Sequence, residues 1–214
     1  MKKLITSLVL IPVFLTLSQN RLMSEKYEPE LEKNFTSSDF DLENSLMCSE
    51  SKNYESVIDY IKAHEGFAGG KEYICVSGRR TIGYGHVILK GEKFPEQITR
   101  EFADSLLRAD FSKSYILAQK YAPQLLGSRR LAVSHFIYSK GIAAFLQSGL
   151  RKAINRGGDV DAEFSKWCHY TDRNTGRKVY SKVGARIQQW EANMWHKDDE
   201  LYASDKKLKN SGKL

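Results

Sequence analysis

The apolar residues between positions 54 and 61 follow a helical period. They fall at i, i+3, i+4 and i+7, which is one face of an amphipathic helix: Tyr54, Val57, Ile58 and Ile61. Gly66 follows, and glycine adopts left-handed and loop conformations at little steric cost. The pattern therefore predicts a helix that ends near Glu65.

Two short runs rich in β-forming residues come after this helix. They cover residues 73–76 and 80–84, with Ser77 and Gly78 between them. Such runs joined by a short segment that contains glycine predict a tight β-hairpin. A helix and a hairpin therefore form the first part of the predicted fold.

The helical period returns several times after the hairpin. A long helix is predicted from an N-cap at Thr99 to about Tyr121, before Pro123. Shorter helices are predicted at about residues 131–138, 143–146, 148–155, 161–168 and 185–195, and residues 171–180 predict a polar loop that can hold a strand. The predicted fold class is α+β, mainly α. A small N-terminal lobe of helix and hairpin is joined by the long helix to a helical C-terminal lobe, and a cleft between lobes is a natural binding site.

Glu65 lies where the first helix ends, beside the predicted hairpin. The negative end of a helix dipole disfavours a carboxylate, and an apolar surrounding disfavours it further. A carboxylic acid that keeps its proton near neutral pH is what a general acid requires. Glutamates at helix ends are more often solvated surface residues, so the position alone does not assign this role.

A longer motif around Glu65 resembles the active-site signature of the phage-type lysozymes, the muramidase or endolysin family. In that family a Glu is followed by an Asp or Cys and then, after five residues, by the Thr that opens a T-I-G-Y-G-H run. Cys75 and Thr81 have this spacing, and residues 81–86 read T-I-G-Y-G-H. Nine residues separate Glu65 from Cys75 where the family has eight, so one residue is inserted in the loop of residues 68–72.

The resemblance extends from about Tyr54 to about Trp195 and weakens towards its end. Residues 136–141 resemble a family turn, with Ser139 where the family has Asn. The family's final G-L-x-x-R-R-x-x-E motif is poorly kept in residues 183–191, since Ile187 and Gln188 occupy the arginine positions. One family arginine there pairs with the catalytic Glu, and Arg186 is the nearest candidate for this partner.

The resemblance implies a lysozyme-like fold and hydrolysis of the β-1,4 bond between N-acetylmuramic acid and N-acetylglucosamine in peptidoglycan. Glu65 would be the general acid, and Cys75 and Thr81 would position the attacking water. Cys75 could instead act as a thiolate base or nucleophile, since Arg79 and Arg80 are near in sequence and a positive charge favours a thiolate. It could also be a structural thiol, with catalysis resting on Glu65 alone.

The second carboxylate of a glycosidase could also come from Glu72 in the inserted loop. Ser139 and Ser148 fall where the family's cleft contacts lie. Tyr84 could line a sugar site, although aromatic residues in hairpins more often pack, and His86 is expected in a structural ion pair. The inserted residue, Ser139 and the missing arginines favour an alternative: a catalytically inactive lysozyme-like protein that binds peptidoglycan.

The net charge and the spacing of the histidines and cysteines indicate which partners and cofactors to expect. The chain of 214 residues has a formal charge of +7 at pH 7, and a basic protein favours a polyanionic partner such as the bacterial cell wall. No helix-turn-helix, zinc-finger spacing or aromatic RNA-binding motif is present, so nucleic acid is not expected as a partner. No His and Cys residues have metal-site spacing, so neither a metal nor a cofactor is expected.

The first 20 residues predict an exported protein, and the rest of the chain divides into three segments. Residues 1–20 combine a basic start with an apolar stretch and resemble a secretory signal or signal-anchor. Residues 21–53 are predicted to be a flexible acidic tether, residues 54–197 the catalytic domain, and residues 198–214 a charged mobile tail. We expect a periplasmic or secreted monomer that meets a membrane only through an uncleaved signal.

Three cysteines leave at least one unpaired in an exported monomer: Cys48, Cys75 and Cys168. If Cys48 lies in a mobile tether, a disulfide with Cys75 could block the site until it is reduced.

Overall fold

The computed structural model describes residues 37–75, 78–172 and 175–210. The predicted export signal lies outside them. The helices are α1 (Ser37–Glu65), α2 (Arg100–Tyr121), α3 (Gly127–Lys140), α4 (Ile142–Gln147), α5 (Gly149–Arg156), α6 (Val160–Ser165), α7 (Lys182–His196) and α8 (Asp199–Asn210). The strands are β1 (Tyr73–Ile74), β2 (Arg80–Ile82), β3 (His86–Val87), β4 (His169–Thr171) and β5 (Lys178–Tyr180).

Helix α1 ends where the sequence predicts but begins much earlier. Val57, Ile58 and Ile61 are buried, as their period requires. The helix starts at Ser37, so the predicted tether of residues 21–53 is wrong for its residues 37–53. The reason is burial, because Leu46 and Glu50 lie inside the protein and helices in proteins owe most of their stability to such packing.

Strands β1, β2 and β3 form an antiparallel sheet with β2 in the middle. The register places Tyr73 opposite Thr81 and Thr81 opposite Val87, which confirms the hairpin and adds a third strand. The sequence gives no signal for β3, because two strand residues give too short a period to recognise. Gly83 and Gly85, both with positive φ, form the turn between β2 and β3.

Helix α3 is the centre of the helical lobe, with every residue from 131 to 137 buried. Helices α2 and α7 pack against it, and a helix that is covered all round belongs to a core. Four phenylalanines fill the surrounding space: Phe111, Phe136, Phe145 and Phe164. Thr99 caps α2 by accepting a hydrogen bond from the Phe102 amide at 3.1 Å, as predicted.

The predicted mobile tail is helical over most of its length. Helix α8 covers residues 199–210, so that prediction is wrong for them. The helix is held by an ion pair between Arg129 and Asp199 at 2.8 Å, and by a hydrogen bond from the Tyr202 hydroxyl to the Leu126 carbonyl at 3.2 Å. Just before α8, the Asp198 carboxylate accepts a hydrogen bond from the Ser128 amide at 2.6 Å. None of the helices in the described part of the chain is both long and apolar enough to span a bilayer.

Candidate active site

Glu65 is the last residue of α1, and its side chain is exposed at the open end of the helix. Gly66 follows with a φ of 68°, and its amide closes the helix on the Lys62 carbonyl at 3.0 Å. The turn between β2 and β3 comes close to this carboxyl group: a methyl group on Gly85 would lie 3.8 Å from Glu65 Oε2. The helix end and the T-I-G-Y-G-H turn therefore meet at Glu65.

Cys75 and Thr81 lie on the sheet beside this turn. Thr81 is buried in β2, and its hydroxyl donates to the Arg79 carbonyl at 3.0 Å. Half-buried Cys75 follows β1, where its amide donates to the Arg79 carbonyl at 2.9 Å. Because the Thr81 hydroxyl donates to the Arg79 carbonyl, its oxygen can still accept a hydrogen bond from another group.

Two tyrosines that the sequence analysis missed lie in the electrostatic field of Glu65. Burial raises the pKa of Tyr73 above its ordinary value, and the nearby Cys75 and Glu65 raise it further. Burial also raises the pKa of Tyr138, with added contributions from Glu65 and Asp110. Tyr73 thus places Cys75 and Glu65 in one neighbourhood. Its place in the predicted hairpin, two residues before Cys75, was the sequence signal that could have identified it.

The loop with the inserted residue is tied down at several points. The Ala68 amide donates to the Gly83 carbonyl at 3.2 Å, and the Ile98 amide donates to the Gly70 carbonyl at 2.9 Å. Glu72 forms a two-point ion pair with Arg80, with Nη2 and Oε2 2.6 Å apart, and this guanidinium holds the pKa of Glu72 below its usual value. The ion pair occupies Glu72, which argues against its use as a second catalytic carboxylate.

Two of the three predicted substrate contacts are structural residues. Tyr84 is buried and packs against Phe67, with ring centroids 5.5 Å apart. Ser148 is buried as the N-cap of α5, where it accepts from the Arg151 amide at 3.1 Å. Both side chains are largely buried in this conformation, so little of either is open to a sugar. Ser139 is exposed at the end of α3, where its hydroxyl donates to the Phe136 carbonyl at 3.3 Å.

Arg186 is exposed on α7 and does not pair with Glu65. No ion pair to Glu65 occurs within residues 37–75, 78–172 and 175–210. Arg186 instead lines a groove of about 430 Å³ together with other residues of α1 and α7: Tyr60, Ala63, His64, Gln189, Trp190 and Asn193. The predicted partnership is therefore absent from this conformation.

Glu191, at the end of the poorly kept motif of residues 183–191, has a buried partner. Glu191 Oε1 lies 2.7 Å from Nδ1 of His135 on α3. Burial raises the pKa of Glu191, and His135 acts in the opposite direction. Local sequence patterns do not predict this ion pair, although a histidine within an apolar helix was a signal for it. His86 forms the structural ion pair that was predicted, with Nδ1 2.6 Å from Asp110 Oδ2.

The positions of the cysteines contradict the proposed Cys48–Cys75 disulfide. Cys48 is exposed on α1, 17 residues before Glu65 on one continuous helix, which is about 25 Å along the axis. Disulfides need Cα atoms within about 7 Å.

Among the residues described, no cluster of three or more His, Cys, Asp or Glu side chains offers a metal site.

Comparisons with known proteins identify the family and the fold. The phage lysozyme family model matches residues 62–192. The endolysin of Acyrthosiphon pisum secondary endosymbiont phage 1 is 34% identical over 110 residues, which cover 50% of this chain and 73% of that protein.

Two solved structures share the fold. The endolysin from Escherichia coli O157:H7 phage FAHEc1 has a TM-score of 0.52 and 26% identity, covering 65% of this chain and 89% of that one. The muramidase domain of SpmX from Asticaccaulis excentricus has a TM-score of 0.57 and 24% identity, covering 65% and 94%. The predicted fold class is confirmed.

Proposed function

Because this chain belongs to the phage lysozyme family and is therefore a peptidoglycan-degrading glycoside hydrolase, we propose that Glu65 is its general acid. The observation that supports the proposal is the close approach of Gly85 to the Glu65 carboxyl group at the open end of α1. The carboxyl group is exposed, so a glycan strand can reach it.

The reaction begins with proton transfer from Glu65 to the oxygen of the β-1,4 bond between N-acetylmuramic acid and N-acetylglucosamine. The bond from this oxygen to the anomeric carbon of N-acetylmuramic acid breaks through a transition state that resembles an oxocarbenium ion. Water adds to that carbon and loses a proton to solvent, and a solvent proton restores Glu65. The products are two shorter glycans, one with a new reducing muramic end.

Thr81 and Cys75 position the water in this proposal. The Thr81 hydroxyl donates its hydrogen bond to the Arg79 carbonyl, so its oxygen can accept a hydrogen bond from water. A thiol has a reference pKa of about 8.5, so it is mostly neutral near pH 7. Arg80 already forms an ion pair with Glu72. One of the two cations that could stabilise a thiolate at position 75 is therefore occupied. We therefore favour Cys75 as a neutral group beside the water over its use as base or nucleophile.

An inactive, peptidoglycan-binding protein is the second candidate. The observation that favours it is the position of Arg186 away from Glu65, on a groove with Trp190. Glycan binding without cleavage would leave the exposed Glu65 side chain without a role.

Product analysis tests the reaction. Purified sacculi are incubated with the protein, reduced with borohydride and examined by mass spectrometry. A muramidase yields muropeptides that end in reduced muramic acid. Ends in reduced glucosamine would place cleavage at the other glycosidic bond. Protein that pellets with sacculi and releases nothing would favour the inactive alternative.

Variants at position 75 test the role of the thiol. We expect Cys75→Asp to retain activity, because the family uses either residue here, and Cys75→Ser to lose less than about tenfold, because a hydroxyl also orients water. A loss of 100-fold or more in Cys75→Ser, about what removal of a catalytic base costs, would favour a thiolate instead.

The proposed substrate determines the compartment. Peptidoglycan lies outside the cytoplasmic membrane, so the enzyme must be exported, and residues 1–20 supply a sequence of the required kind. We propose a monomer in the periplasm or the medium.

A further inference from the structure

The β4–β5 hairpin and the start of α7 expose four large apolar side chains within 14 residues. Tyr170 is 54% exposed, Val179 37%, Tyr180 56% and Val183 51%. Tyr170 lies directly opposite Val179 in the register, so these two side chains are neighbours on one face. Lys178 and Tyr180 alternate with Val179 along β5, so they lie on the opposite face of the hairpin. We call these four residues, with Arg177, Lys178 and Lys182, the hairpin surface, which therefore includes both faces.

The hairpin is attached to the rest of the protein mainly at its base. There the Ser181 amide donates to the Cys168 carbonyl at 2.8 Å. All three residues of β5 are exposed, whereas an antiparallel hairpin normally buries one face against a core. Apolar groups that cluster in the open are typical of interaction sites.

The charge of this region is mostly positive. Between Phe164 and Trp190 the sequence has six Lys or Arg residues and a single acidic residue, Asp172. Arg177, Lys178 and Lys182 are exposed. No salt bridge in the described part of the chain involves any of these three. The hairpin surface therefore combines an excess of positive charge with apolar groups.

We propose that the hairpin surface binds the face of an anionic lipid bilayer. Tyrosine is enriched at membrane interfaces, where its ring meets acyl chains and its hydroxyl meets water. Lysine and arginine next to such groups are attracted to anionic headgroups. An anionic wall polymer would use the cations equally well, but it would give no reason for Val179 and Val183 to face outwards. Binding holds the exported enzyme at the membrane, under the peptidoglycan layer.

Lipid partitioning of the exported protein tests this surface. The protein is titrated with phosphatidylcholine vesicles and with vesicles that contain phosphatidylglycerol, and partition coefficients are measured by co-sedimentation. We expect stronger partitioning into the anionic vesicles, weakened by salt. Tyr170→Ser with Val179→Ser, and separately Lys178→Gln with Lys182→Gln, should each lower the coefficient by about tenfold or more.

Matched controls carry the same chemical changes elsewhere. Ile116→Ser removes a side chain that is 60% exposed on α2, and Lys152→Gln with Arg156→Gln removes two exposed cations on α5. Neither control should change the coefficient. Equal partitioning of all variants would overturn the proposal, as would loss of binding to sacculi with partitioning unchanged. Vesicle binding is measured without peptidoglycan, so this result is independent of glycan cleavage.

Discussion

Glu50 accepts a hydrogen bond from the backbone amide of Gly127, 77 residues later, with N and Oε2 2.9 Å apart. Gly127 opens helix α3, whose first amides have no partner within the helix. The next amide, that of Ser128, donates to Asp198. Two carboxylates from outside residues 62–192, the part that matches the family, therefore satisfy the start of the central helix, as the helix dipole favours.

Replacement of Glu50 should destabilise the whole domain. Its buried carboxylate also accepts from the Tyr115 hydroxyl and from Arg130 Nη1 at 3.3 Å, so Glu50→Ala leaves several buried donors without a partner. We expect the free energy of unfolding to fall by about 3 kcal/mol, measured by urea denaturation. Asp59→Ala, at an exposed position of the same helix, should change it by less than about 0.5 kcal/mol. A chain that begins at residue 54 should share the loss, and full stability of that chain would contradict this role.

The buried ion pair of His135 and Glu191 gives a second test. Removal of one partner leaves a buried polar group without its hydrogen bond, so Glu191→Ala should cost about 3 kcal/mol. The double variant His135→Leu, Glu191→Leu should be destabilised by less than the sum of its single variants, because it removes both charges. Urea denaturation of the four proteins measures the coupling, and additive effects would show that the pair does not act as a unit.

These features mark the limit of what the sequence could predict. The α+β fold, the end of α1, the N-cap at Thr99 and the ion pair of His86 follow local patterns, and all are found. The extension of α1 to Ser37 and helix α8 depend on contacts between distant segments, which no local period reveals.

The candidate site was likewise predictable from the sequence only in part. Spacing and resemblance identified Glu65, Cys75 and Thr81 as a set, whereas the burial of Tyr84 and Ser148 is a property of the packed structure. The resemblance gave their positions but not the direction of their side chains.

The pH dependence of stability should report His196. Hydrogen bonding to Asp199, and then to Asp161, raises the pKa of His196 above 6.5. The folded protein holds this proton more tightly than the unfolded chain, so the stabilisation is complete below pH 6.5 and is lost as the pH rises through the folded-state pKa. Because the side chain is about half exposed, solvent screening limits the effect to less than about 1 kcal/mol.

Denaturation at several pH values measures this effect. His196→Gln should remove part of the fall in stability above pH 6.5, whereas His64→Gln should preserve it. A fall of the same size in wild type and in His196→Gln would assign it to other groups.

Muropeptide release by Glu65→Gln, compared with wild type and with Glu96→Gln, tests whether Glu65 is the general acid. Glu96 is an exposed carboxylate of the segment between β3 and α2, so its variant controls for the loss of a charge. Glutamine cannot give the proton, and we expect the rate of release to fall at least about 100-fold, with the free energy of unfolding changed by less than about 0.5 kcal/mol. Release by Glu65→Gln within a few-fold of wild type would contradict the assignment.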